Sequence, residues 1–121
     1  MDPAGQDQLQ QDVEAFCQQV RPKEELCYLE HRFNQEAIEL AKKYNLLGMP
    51  IDVQWGGRGA DLPTYLKALA RIGQEGSGLR TLFSGHTSIG QYPITRFGSA
   101  DQQREYLQPS ARGEKIMAFS S

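Results

Sequence analysis

The side chains of this chain able to do acid–base, nucleophilic or metal chemistry are few: Cys17, Cys27, His31 and His86, with carboxylates scattered among lysines and arginines. Their spacing matches no metal-ligand pattern, and two distant histidines do not build a Ser-His-Asp or Cys-His arrangement. His31 stands in a mixed-polarity stretch with Glu25 and Glu30 and reads as a solvated residue. His86 falls on the apolar face of a helical pattern, where a histidine is most often packed and hydrogen-bonded rather than catalytic. Two glycine clusters, "GGRG" at 56–59 and "GQEGSG" at 73–78, have the composition of phosphate cradles. No strand precedes either, and neither carries the Lys-Ser/Thr pair of a nucleotide loop, so both read as helix punctuation. The stripe Leu79, Leu82, Phe83, His86 and Ile89 is interleaved with Gly85, Ser88 and Gly90. Small residues beside such a stripe leave room for a ligand or let helices approach closely, and periodicity favours the packing reading.

The elements that would position these residues are helices. Leu9, Val13, Phe16, Cys17 and Val20 share one face of a first helix, which Pro22 is expected to end at Arg21. Residues 23–32 read as a helical turn or a loop. Asn34 caps a second helix, with Phe33 and Ile38 placed as a hydrophobic staple and Ala37, Ile38, Ala41 and Tyr44 facing inward. Gly48 and Pro50 close it, and residues 51–60 form a glycine-rich loop. Asp61 caps a third helix whose expected inner face is Leu62, Tyr65, Leu66, Leu69 and Ile72. The fourth carries the 79–89 stripe and is expected to be interrupted at Pro93. Ser99 and Gln102 form a capping-box pair for a last helix that Pro109 ends. "IMAF" at 116–119 is the strand-like run. The expected fold class is all-α: an antiparallel bundle of five to six helices with one C-terminal strand.

Length suits one domain with a real core. Thirteen basic and fifteen acidic residues give a net charge of −2 without a block of like charge. Charge therefore points to neither a nucleic-acid nor an acidic-membrane partner. The amino-terminal stretch lacks both the basic end and apolar run of a signal peptide and the Arg-rich, acid-poor character of a transit peptide. No later stretch could span a bilayer. With two cysteines in no disulfide framework, a reduced, cytoplasmic compartment is expected.

The order "NLLGMPI…WGGRGADLPTYLKAL", then "SGHTSIGQYPITRFGSADQQREYLQPSARGEKIMAFSS", resembles the amino-terminal helical domain of the acyl-CoA dehydrogenase flavoproteins. The likeness is dense over residues 34–121 and rests on helix pattern alone over 6–22. It implies α,β-dehydrogenation of an acyl-CoA or acyl-carrier thioester with FAD, within fatty acid metabolism. The glutamate base is expected in a missing C-terminal domain, so the catalytic set of this chain is empty. By motif position Leu82, Gly85, His86 and Ile89 would line or border the acyl pocket, and Phe119 and Ser121 would approach the flavin. Residues 1–115 would be the helical domain and 116–121 the first strand of a middle β-domain. The chain is then expected to be a fragment, inactive and unable to hold FAD alone. An electron-transfer flavoprotein or other acceptor and a homo-oligomeric full-length state are implied as well. The rival readings are a flavin oxidase or monooxygenase on the same fold, and a non-catalytic helical interaction domain.

Overall fold

The computed structural model describes residues 1–120, and every regular element among them is helical. Helix α1, Pro3–Glu30, is 28 residues long, or roughly 42 Å at 1.5 Å per residue. The Asp2 carboxylate caps it, accepting the Gly5 N–H at 2.7 Å. Leu9, Val13, Phe16, Cys17 and Val20 are buried, as their spacing predicts. The expected end at Arg21 is wrong: α1 passes Pro22 and continues to Glu30. Pro22 is exposed, so the carbonyl that its ring deprives of a partner faces solvent. The turns beyond it are tethered by buried Cys27 and by Glu24, which accepts from Asn34 Nδ2 at 2.9 Å. His31, in the left-handed region at φ 56°, stops the helix.

Helix α2, Gln35–Lys43, is capped by Asn34 Oδ1 at 3.2 Å from the Ala37 N–H. Ala37 and Ala41 are buried and Ile38 and Tyr44 partly so. Phe33 is 60% exposed and stands off the core rather than stapling the helix. The glycine-rich loop folds around a 3-10 turn, Val53–Trp55. Gly57 is required there, because a Cβ would meet the Ile51 carbonyl oxygen at 2.1 Å. Arg58 reaches Asp12 of α1 at 2.8 Å and the Tyr44 carbonyl at 2.9 Å. The "GGRG" arginine thus fastens two helices to the loop.

Helix α3, Leu62–Gly73, is capped by Asp61, which accepts the Thr64 N–H at 2.9 Å. Its buried residues are Tyr65, Ala68 and Ile72. Leu62 and Leu66, expected inside, are 65% and 50% exposed. Ala68 takes the inward position instead, because α3 lies close to both α1 and α4 and a small side chain fits between them.

Helix α4, Ser77–Ser84, does not end at a break. It widens into a π segment, Gly85–Gln91, and continues as α5, Tyr92–Phe97. The Tyr92 N–H reaches back five residues to the Thr87 carbonyl. This corrects the expected interruption at Pro93: a locally widened turn accommodates a residue without an N–H where a regular helix would clash. Helix α6, Ala100–Ala111, opens with the predicted capping box, Ser99 Oγ to the Gln102 N–H at 3.1 Å and Gln102 Oε1 to the Ser99 N–H at 2.9 Å. It runs two residues past Pro109, which was expected to end it. Taking α4 to α5 as one rod, the described residues form a bundle of five helices. The strand expected at 116–119 is absent among the described residues, where no second extended segment pairs with it to form a ladder.

The core joins α1 to α4 through Phe16 and Phe83, edge to face with ring centroids 5.6 Å apart. At its rim Arg71 bridges Glu14 at 2.8 Å and Glu75 at 2.6 Å, and Arg21 also holds Glu75 at 2.7 Å. Hydrogen bonds from Arg21, then Arg71, pull the Glu75 carboxyl down to about 2. Beneath this cluster the Cys17 thiol lies 4.0 Å from the Arg71 carbonyl, and burial pushes it up to about 11.

Candidate functional site

The π segment gathers the polar groups that the bundle buries. His86 is 1% exposed and Gln91 0%. The Met117 N–H donates to His86 Nδ1 at 3.0 Å, so that nitrogen carries no proton and the ring is the Nε2–H tautomer. Nε2 donates to the Ser110 carbonyl at 3.0 Å. Gln91 Nε2 donates to the Leu47 carbonyl and to Ser110 Oγ, each at 3.0 Å, and Ser110 Oγ donates to the Leu107 carbonyl at 3.0 Å. With that tautomer, the 3.1 Å approach of Gln91 Nε2 to His86 Nε2 sets two donors side by side, an unfavourable contact, and the buried Gln91 Oε1 has no hydrogen-bond partner among the described residues. Burial pulls the His86 pKa below its ordinary value, against smaller opposing contributions from the Ser110 and Leu47 backbone. The ring is a neutral strut.

The four residues expected at the acyl pocket do not share one face. Leu82, Gly85 and Ile89 stand three and then four residues apart and occupy an outward flank. Ile89 is 51% exposed, and a Cβ added to Gly85 would meet nothing within 4 Å. Leu82 is half-buried and also lines an open cleft of about 310 Å³ with Cys27, Tyr28, Phe33 and Leu79. His86 points away from this flank into the interior. Ser88 Oγ, beside Ile89, lies 3.3 Å from the Tyr65 hydroxyl of α3. Phe119 is 72% exposed. Ser121 lies outside the described residues. Among those residues no three His, Cys, Asp or Glu side chains gather as a metal site, and no helix is long and apolar enough to cross a membrane.

Gln91 and Ser110 were not singled out from the sequence, although a signal for Gln91 exists. It follows Phe83 and Thr87 at successive steps of four, and Pro93 two residues later marks a disturbed backbone. A polar residue in that buried register needs partners on neighbouring elements, and Gln91 finds them in the Leu47 carbonyl and Ser110 Oγ.

The geometry is that of an all-helical bundle in which one π-widened helix presents an apolar flank. Residues 3–114 match the family model described as acyl-CoA dehydrogenase, N-terminal domain, and the chain belongs to that family. An acyl-CoA dehydrogenase of Bacillus subtilis (strain 168) is 31% identical over 102 residues, covering 84% of this chain and 27% of that protein. A short-chain specific acyl-CoA dehydrogenase of Clostridium acetobutylicum is 32% identical over 88 residues, covering 73% of this chain and 23% of the relative. The solved butyryl-CoA dehydrogenase of Megasphaera elsdenii superposes with a TM-score of 0.83 at 22% identity, over 96% of this chain and 31% of that one, and so shares its fold. The chain spans about a quarter to a third of the length of these proteins.

Proposed function

We propose that this chain is the helical domain of an FAD-dependent acyl-CoA dehydrogenase, bordering the acyl pocket and packing beside the flavin. The observation that carries the reading is the outward flank of Leu82, Gly85 and Ile89 in a chain of this family. An apolar surface interrupted by a glycine suits a flexible acyl chain, which is recognised by buried area rather than by hydrogen bonds. His86 acts from behind this flank, where its ring supports the helix that carries it. Phe119 offers an exposed aromatic face to a planar ring, and Ser121 would follow it on the same segment. Phe119 is then the described side chain that would meet one edge of a flavin. When bound, FAD would take a hydride from the β-carbon of the acyl thioester. In this reading residues 1–115 are the helical domain and 116–121 lead to a β-domain. The base, and the contacts to a redox partner such as an electron-transfer flavoprotein and between subunits, would come from outside these residues.

A chimera tests this reading. The chain replaces the matching residues of the Clostridium relative, and flavin content and dye-linked oxidation of acyl-CoAs of increasing length are measured. Gly85→Val should shift the ratio of kcat/KM between short and long chains by about tenfold, within the 1–3 kcal/mol that one methylene is worth in an apolar pocket. Flavin content should not change. Ratios unaffected by both Gly85→Val and Ile89→Ala would sink the pocket role, and a folded chimera without flavin would sink the role of Phe119.

A further inference from the structure

The imidazole of His86 touches both arms of the turn that follows α6. Nε2 holds the Ser110 carbonyl in the last turn of the helix, and Nδ1 takes the N–H of Met117, seven residues further on. Between these arms the chain reverses at Gly113, φ 79°, with the Glu114 and Lys115 N–H groups both returning to the Pro109 carbonyl. A second, independent observation points to the same segment. A Cβ built on Gly90 would lie 2.3 Å from the Met117 Cβ and 3.2 Å from its carbonyl carbon. The π-widened helix therefore meets residue 117 twice, through an acceptor at position 86 and through a missing side chain at position 90.

We infer that His86 is a positioning residue: with Gly90 it seats residues 116–118 on the π segment and fixes where Phe119 is presented. The ring joins the two arms of the turn. Its geometry serves this purpose because each nitrogen has one partner and the partners lie on opposite sides of the ring. Gln91 and Ser110 support it from below, since the Gln91 amide holds both the Leu47 carbonyl and Ser110 Oγ. The seat is a property of this chain alone. It stands if the acyl-pocket reading fails, and its own failure leaves that reading untouched.

Amide hydrogen exchange on the 121-residue chain, read residue by residue by NMR, tests the seat. His86→Asn keeps an oxygen near the Nδ1 position and loses the donor at Nε2. His86→Gln does the reverse. Met117 protection, relative to the core amides of Phe16 and Ile72, should persist in His86→Asn and fall at least about tenfold in His86→Gln. Gly90→Ala should produce the same fall with His86 intact. Equal loss in the asparagine and glutamine variants would reduce His86 to a packed core residue and overturn the inference. If the variants do not fold, the unaltered chain still decides. Its Met117 amide should be protected and its His86 nitrogens should show the Nε2–H tautomer, whereas exchange at the rate of an unstructured peptide, or the Nδ1–H tautomer, would refute the seat.

Discussion

Two polar clusters hold this bundle together, and they do so by opposite means. At the rim of α1 and α3, Arg21, Arg71, Glu14 and Glu75 form a charged clamp, with the Arg21 and Glu14 side chains 54% and 47% exposed around a Glu75 that is only 6% exposed. At the π segment, His86, Gln91 and Ser110 form a neutral node that is almost wholly buried. Each suits its depth. The outer charges keep their hydration and Glu75 exchanges its own for two arginines, while neutral donors can be taken inside provided their hydrogen bonds are made. The two clusters should therefore answer to different stresses.

The largest effect is expected from the node. Gln91→Leu strips the Leu47 carbonyl and Ser110 Oγ of a shared donor in the interior, and should lower stability by about 3 kcal/mol at any ionic strength, from a typical 1–3 per unsatisfied buried group. Urea unfolding at low and high salt reads this, and recovery in high salt would contradict it. Glu75→Gln removes a nearly buried anion from between two partly exposed arginines and should cost about 2 kcal/mol, part of it gone in 1 M salt. A salt-independent loss there would mean that the clamp works by packing rather than by charge.

Acid separates the clusters again. The folded chain holds Glu75 down near 2 against an ordinary 4.5, so its contribution is complete above 4.5 and is lost as the pH falls toward 2. The folded chain also resists protonating His86, whose ordinary value is 6.5. Below about 6.5 the unfolded chain takes up a proton that the folded chain refuses. Stability therefore declines from there until the pH passes the depressed folded value. Thermal melts across pH should show both phases, with His86→Gln removing the upper one and Glu75→Gln the lower. The smallest effect belongs to a pair in neither cluster. Asp101 and Arg104 are 89% and 63% exposed, and Asp101→Asn should change stability by less than about 0.5 kcal/mol in the same urea assay.

The clamp and the node also differ in how far the sequence reveals them. Elements governed by local rules were legible: the inner face of α1 follows from apolar spacing, and Asn34, Asp61 and the Ser99–Gln102 box cap the helices they precede. The prolines were not. Pro22, Pro93 and Pro109 each disfavour helix locally, yet all three lie inside helical segments. Exposure, a widened turn, and a position close to the helix end respectively reduce the penalty, and none of these is visible from the neighbouring residues. Leu62 and Leu66 mislead for a related reason, since a helix chooses its inner face by how closely its neighbours approach. Of the expected pocket residues, spacing alone could not separate the Leu82, Gly85 and Ile89 flank from inward His86, because all four fall within one broad helical sector. The node's Ser110 meets Gln91 across nineteen residues of chain, a distance over which no periodicity carries information.

Cys17, sealed beneath the charged clamp, gives the molecule a built-in stopwatch. At neutral pH a thiol pushed up to about 11 is almost entirely in its unreactive protonated form, and its sulfur is shielded from solvent. A maleimide can then capture it only during moments when α1 swings away from α3. Labelling rates would count those openings directly, and raising salt should quicken them by loosening the arginines overhead while leaving the seat of Met117 undisturbed.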